Sequence, residues 1–167
     1  MDYVHVSHTF PPVYDNNAQI LILGSFPSVK SREYGFYYGH KMNRFWKVMA
    51  YVFNNQVPET IEEKKKFLLS NRVALWDVIE SCDIKGSSDS SIKNVIPADI
   101  KKLLNTVPIK RVYANGHTAF KLYKKYIYDD TKKEIELLPS TSPANAAWSF
   151  DKLKNEYKKV LNTNDKV

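Results

Sequence analysis

The sequence predicts an α/β domain with a mainly parallel sheet. Two observations carry this prediction. Short, largely apolar runs each close on turn-forming residues, and the stretches between them repeat their apolar residues at helical spacing. A run of four to six apolar residues that stops at Gly, Asn or Pro reads as a buried strand delivering a loop at its carboxyl end.

The first run leaves Ala18, passes through Ile20-Leu21-Ile22-Leu23 and stops at Gly24. The second is Val73-Ala74-Leu75-Trp76. The third, Arg111-Val112-Tyr113-Ala114, closes on Asn115-Gly116, and the fourth, Ile135-Glu136-Leu137-Leu138, closes on Pro139-Ser140. Between them, Phe45, Trp46, Met49, Val52 and Phe53 share a helical face, as do Ala119, Phe120, Tyr123, Tyr126 and Ile127. The segment from Glu59 to Leu69 opens on Thr60-Ile61-Glu62-Glu63, a capping-box pattern. A last helix is expected to take Ser142 as its N-cap and Pro143 as its first residue, and to run through Trp148, Leu153, Tyr157 and Val160. Lys85 to Ser91 reads as a Gly/Ser-rich loop. No internal repeat or composition break divides the chain, so one domain over 1–167 is expected.

Composition narrows the function. Cys82 is the only cysteine among 167 residues, which rules out an intramolecular disulfide and a zinc site built from several thiolates. A cytoplasmic setting is therefore expected. Met1 to Pro12 has neither a basic nor an apolar signal region, and no apolar run approaches the roughly 20 residues that cross a bilayer, so no membrane partner is expected. The net charge of +7, with aromatic residues at 13%, points towards polyanions.

In an open parallel sheet, ligands bind beyond the carboxyl ends of the strands. Here those are Gly24 onward, Asp77 onward, Asn115-Gly116 and Pro139 onward. The stretch from Gly24 to Lys41 reads as the longest loop, and loops of that length are usually functional. Its rings, Phe36, Tyr37 and Tyr38, suit either stacking on a nucleobase or packing in the core. The phosphate-gripping pattern Gly-x4-Gly-Lys-Ser/Thr is absent, and so is Gly-x-Gly-x-x-Gly. His5, His8, His40 and His117 lack zinc-ligand spacing, so no metal is expected, and His5 and His8 are placed in an edge or poorly ordered segment.

Gly24-Ser25-Phe26-Pro27-Ser28, Gly39-His40-Lys41-Met42-Asn43-Arg44-Phe45-Trp46 and Leu138-Pro139-Ser140-Thr141-Ser142-Pro143-Ala144-Asn145 together resemble the uracil-DNA glycosylase superfamily. Within it, the hypoxanthine-DNA (deoxyinosine) glycosylase branch is the nearest match. The resemblance implies a three-layer α/β/α sandwich with a short, mainly parallel central sheet. It implies a monomer that flips a deaminated base out of double-stranded DNA and hydrolyses its N-glycosidic bond with no cofactor. Other branches carry Asp or Asn in the turn after the first strand, where Ser25 and Phe26 stand here. In the hypoxanthine branch, the Asn before Arg-Phe-Trp is associated with catalysis, and it maps onto Asn43.

His40, three residues before Asn43, is a candidate donor to the purine as its charge develops, and by the same resemblance Phe36 matches the position that stacks on the flipped base. Gly24, Ser25, Phe26, Pro27 and Tyr38 are further candidates for the base pocket. Ser140, Thr141, Ser142, Pro143, Ala144, Asn115 and Gly116 are candidates for the DNA contact. Asn43 as a helix N-cap and His40 as a loop brace are the competing structural roles. A uracil or mismatch glycosylase of the same fold, or a non-catalytic DNA-binding module, are the alternatives.

Overall fold

A computed structural model describes residues 2–164; Met1 and residues 165–167, part of the expected 1–167 domain, lie outside the described residues. The strands are β1 (Val4–Ser7), β2 (Ile20–Gly24), β3 (Val73–Asp77), β4 (Ile79–Ile84), β5 (Lys93–Pro97), β6 (Arg111–Asn115) and β7 (Ile135–Leu138). The helices are α1 (Val29–Tyr34), α2 (Phe45–Val52), α3 (Ile61–Ser70), α4 (Ile100–Thr106), α5 (His117–Tyr126), α6 (Tyr128–Thr131) and α7 (Phe150–Tyr157).

The four apolar runs form one parallel sheet in the order β3-β2-β6-β7. Strand β2 shows why. Ile20 and Ile22 face one cluster, with α2, α3 and α7, while Leu21 and Leu23 face the other, with α4 and α5. Both faces are dry, so the run has no polar alternation, and the result is the three-layer α/β/α sandwich. Leu21, Ile22 and Leu23 are fully buried; each contributes about 1.5–3 kcal/mol relative to exposure.

Sheet order also fixes where a ligand can enter. From β2 the chain goes to β3 on one side and later returns to β6 on the other, so β2 and β6 flank a topological switch point. Their carboxyl ends are Gly24 and Asn115, and the pairing sets Gly24 beside Asp77 and Asn115 beside Leu138.

Several expectations need correction. A second, antiparallel sheet, β1-β4-β5, packs beside the first. The stretch from Gly24 to Lys41 is not all loop, because Ser28 caps α1 by accepting from the Ser31 N–H. Ser142 and Pro143 do not open a helix. Residues 143–148 fold as turns, and α7 starts only after Ser149, whose side chain accepts from the Lys152 N–H at 3.2 Å. Of the two N-terminal histidines, His5 lies on edge strand β1, but His8 is buried, with its side chain 2% exposed. The Thr60 capping box is present, with Thr60 Oγ1 accepting from the Glu63 N–H at 3.0 Å and Glu63 Oε1 accepting from the Thr60 N–H at 3.3 Å.

Candidate active site

A cavity of about 340 Å³ opens at the carboxyl ends of β2, β3 and β6, within the roughly 300–1,000 Å³ usual for small-molecule sites. Its walls come from the four strand ends that the sequence singled out and from one loop that it did not.

The loop after β2 supplies Gly24, Ser25, Phe26 and Pro27. Gly24 is required by its surroundings: a Cβ there would lie 2.5 Å from Asp77 Oδ1 and 3.1 Å from Tyr38 Oη. Tyr38 forms part of the wall and stacks on Phe45, with ring centroids 4.3 Å apart. Its hydroxyl is buried and makes no hydrogen bond of ordinary geometry, although the Asn115 side chain is its polar neighbour. Burial, with the charge of Asp77 adding to it, pushes the Tyr38 hydroxyl pKa well above 10, so the phenol is neutral. Phe36 is displaced from its expected place. It is 2% exposed, stacks on Trp46 in the core and lies outside the cavity wall. Tyr37 and Tyr38, the next two residues, are the rings that line the cavity in its place.

Asn43 lies on the cavity wall, just before α2. Its Oδ1 accepts from the Phe45 N–H at 2.9 Å and from Thr141 Oγ1 at 2.8 Å. The network fixes which amide atom is which. A backbone N–H can only donate, so the atom facing Phe45 is the oxygen. Thr141 N–H donates to Asn115 Oδ1 at 3.0 Å, Asn115 Nδ2 donates to Thr141 Oγ1 at 3.0 Å, and the Thr141 hydroxyl proton is left for Asn43. Asn43 Nδ2 has no protein acceptor among the described residues. The N-cap of α2 is Arg44 and not Asn43, because Asn43 Oδ1 spans only two residues to the Phe45 N–H and so closes the turn before the helix, while its Nδ2 is left for a ligand.

His40 is not part of the cavity wall. Its Nδ1 accepts from the Met42 N–H at 3.0 Å, which braces the turn leading into Asn43.

The loop after β7 contributes Ser140, Thr141, Ser142 and Ala144, whereas Pro143 lies exposed outside the wall. Its amides do not form a helix N-terminus: Ser142 N–H donates to Ser140 Oγ at 3.1 Å and Ala144 N–H to Ser142 Oγ at 3.1 Å. The loop is gripped from below by Arg44. Its guanidinium donates to the carbonyls of Thr141, Trp148, Ser142 and Asn145. From β6, Asn115 joins the wall. Gly116 sits behind it at φ +100°, where a Cβ would meet Ser140 Cβ at 3.1 Å.

Two features escaped the sequence. Ser87, Ser88 and Asp89 of the Gly/Ser-rich loop close one side of the rim, with Ser25 Oγ 3.5 Å from Asp89 Oδ1. Asp77 ends β3 on the cavity wall, 3% exposed, and its Oδ2 accepts from His8 Nε2 at 2.8 Å. Burial acts to lower the His8 pKa, but the hydrogen bond and charge of Asp77, helped by the Phe10 backbone and Glu80, raise it above 6.5. Asp77 could be read as a strand end. Its partner, 69 positions away in the sequence, could not. Among the described residues no cluster of His, Cys, Asp or Glu could hold a metal ion, and no helix is long and apolar enough to cross a membrane.

A pocket at the switch point of a parallel sheet, lined by the rings of Phe26, Tyr37 and Tyr38 and by amide and carboxylate groups, has the makings of a small-molecule or base site. Comparison with known proteins makes the class specific. The family model of the uracil DNA glycosylase superfamily matches residues 11–164. A protein of Methanosarcina acetivorans named hypoxanthine DNA glycosylase is 35% identical over 146 residues, 86% of this chain and 91% of that protein. A Methanosarcina barkeri protein of the same name is 34% identical over 109 residues, 64% of this chain and 69% of that protein. A solution NMR structure from M. acetivorans, presented as a candidate uracil DNA glycosylase, superposes with a TM-score of 0.78 at 31% identity, covering 95% of this chain and 99% of that one. The chain belongs to the uracil DNA glycosylase superfamily. It is a DNA glycosylase, and its substrate is DNA.

Proposed function

We propose that the enzyme releases hypoxanthine from deoxyinosine in double-stranded DNA, acting as a monomer and a single domain, and leaves an abasic site without cutting the strand. The observation that carries this reading is the bonding of Asn43 on the cavity wall, where Thr141 and Phe45 hold its Oδ1 and its Nδ2 has no protein acceptor among the described residues. In the reaction the electron pair of the C1′–N9 bond passes to the purine, and water adds to C1′ and gives up a proton. The purine takes up a proton as it leaves. Asn43 Nδ2 donates to the purine ring next to the breaking bond, where negative charge grows, and a fixed donor in a cavity needs no reorganisation to do so. With its oxygen already holding two donors, the amide is unsuited to activating water.

Tyr38 and Phe26 supply flat walls for the extruded base. Ser140 to Ala144, held by Arg44, form the rim that meets the DNA backbone. His40 serves the turn. The names of the two relatives support hypoxanthine over uracil, and so does the turn at Ser25 and Phe26, which offers no carboxylate or amide to position water. The test is to incubate the protein, with chelator present, with duplexes carrying one deoxyinosine or one deoxyuridine and to identify the freed base by mass. Free hypoxanthine in excess over uracil is expected. Uracil release equal to or above hypoxanthine release establishes the uracil reading instead.

A further inference from the structure

We propose that Asp89, on the Gly/Ser-rich loop, holds the water that attacks C1′ and takes its proton, so that it serves the sugar while Asn43 serves the departing base. The substrate used in its test rests on the deoxyinosine reading above.

Hydrolysis needs an acceptor for a water proton close to the sugar. The wall amides do not supply one: Asn43 Oδ1 already holds two donors, and Asn115 Oδ1 takes the Thr141 N–H. Among the described residues two carboxylates line the cavity, Asp77 and Asp89. Asp77 is 3% exposed and paired to His8, at the floor, whereas Asp89 is exposed, at the rim. When a base enters the cavity its sugar and phosphates stay with the DNA, so C1′ lies near the rim, on the level of Asp89.

The sheet brings Asp89 and Asn43 to the cavity from opposite sides. Asn43 leads into α2, which packs on one face of the parallel sheet. Asp89 opens a short 3₁₀ turn and is bonded by the side chain of Thr118, in the first turn of α5, which packs on the other face. Ser25 Oγ, 3.5 Å from Asp89 Oδ1, ties the same carboxylate to the end of β2. A donor for the leaving base on one side and a carboxylate for water on the other is what a displacement at a sugar carbon requires, because water enters opposite the bond that breaks.

The electrostatics fit this role and no binding role. Desolvation in the crowded rim, with the charge of Asp77 adding to it, holds the Asp89 pKa above 3.8 although Thr118 and Ser25 pull it down, which makes the carboxylate a stronger proton acceptor. No cation pairs with it among the described residues, in a chain with 25 Lys and Arg. An unneutralised carboxylate on the face that meets phosphates costs DNA affinity, so its use lies in the chemistry. In the step itself, the C1′–N9 bond breaks with its electron pair passing to the purine, which takes a proton from solvent. A lone pair of the water forms the C1′–O bond, and one water proton passes to Asp89, which returns it to solvent.

The test compares single-turnover base release from a deoxyinosine duplex, affinity for a duplex carrying an abasic-site analogue, and the mass of the abasic product formed in a water–methanol mixture. In Asp89→Ala, release is expected to slow by at least about a hundredfold, the lower end of what a positioned base supplies. Affinity stays equal or tightens, because a charge facing phosphate is gone. In the parent the held water keeps methanol from C1′, whereas in Asp89→Ala the two compete freely and the share of methyl glycoside rises. Asp89→Asn can orient water but takes no proton; it should slow release by at least about tenfold, and it decides alone if Asp89→Ala does not fold. Release by a folded variant within about threefold of the parent overturns the proposal, and so does a loss of rate matched by an equal loss of affinity, or a methanol share in Asp89→Ala equal to the parent's. A parent that releases uracil and not hypoxanthine refutes the deoxyinosine reading instead, and the same measurements on a deoxyuridine duplex then test Asp89.

Discussion

Thr141→Val probes the polar chain that orients Asn43. Thr141 is fully buried, and valine matches its shape while removing the hydroxyl, which accepts from Asn115 Nδ2 at 3.0 Å and donates to Asn43 Oδ1 at 2.8 Å. The substitution leaves the Asn115 amide donor buried without an acceptor, which costs about 1–3 kcal/mol, and loses a bond worth about 0.5–1.5 kcal/mol net. The added methyl offsets part of this, so the expected loss is about 2–3 kcal/mol. For a domain of this size that is a fall in Tm of about 5–10 °C. Asn43 keeps only the Phe45 N–H to hold its amide, and base release should slow by about tenfold, roughly 1.4 kcal/mol of barrier. Thermal unfolding and single-turnover release, measured on the same preparation, check both figures. Thr141→Ser retains the hydroxyl and should recover most of the activity. A Thr141→Val protein within about 0.5 kcal/mol of the parent in stability and twofold of it in rate would refute the argument that this chain sets the site.

Two further perturbations test the surroundings. The buried Tyr38 hydroxyl has no hydrogen bond, so Tyr38→Phe should leave stability unchanged or raise it by about 1 kcal/mol in urea unfolding; a loss of more than about 1 kcal/mol would show that the hydroxyl is satisfied after all. The His8 pKa is raised in the folded state, so its pairing with Asp77 stabilises the fold fully below the unfolded value of 6.5, and that contribution is lost as pH rises through the folded value. Denaturant unfolding should therefore show the parent's advantage over His8→Gln shrinking as pH rises above 6.5 and through the raised folded value; a pH-independent difference contradicts the ion-pair account.

What the sequence made legible follows from physics. The two central parallel strands, β2 and β6, are buried on both faces and appear as apolar runs, and edge strand β7, with Glu136 and Leu137 exposed, is still read to the residue because Ile135 and Leu138 face the core. The strands of the second sheet carry no such mark. β1 and β5 are largely exposed, and β4 follows β3 after Val78 alone, so the two read as one stretch. Ser142-Pro143 has the composition of a helix start, yet Arg44 draws the carbonyls of Ser142, Asn145 and Trp148 towards itself and the chain turns instead. A local signal was overridden by a guanidinium about a hundred residues away in sequence. The same separation hid His8 behind Asp77. Asn43 could be located from its motif, but its orientation depends on Asn115 and Thr141, which meet it only in the fold. Phe36 and Tyr38 differ by two positions in an irregular turn in which Tyr38 takes φ +53°, so periodicity could not tell which ring faces inward.

The most direct test of the account is the rate of hypoxanthine release from a deoxyinosine duplex by Asn43→Ala, beside its affinity for a duplex carrying an abasic-site analogue. If Asn43 Nδ2 stabilises the departing purine, the single-turnover rate falls at least about tenfold, 1.4 kcal/mol or more of barrier, while affinity for the analogue, which has no base to meet, stays within about threefold. A folded Asn43→Ala protein that releases hypoxanthine at the parent's rate would contradict the assignment of this cavity's chemistry to Asn43.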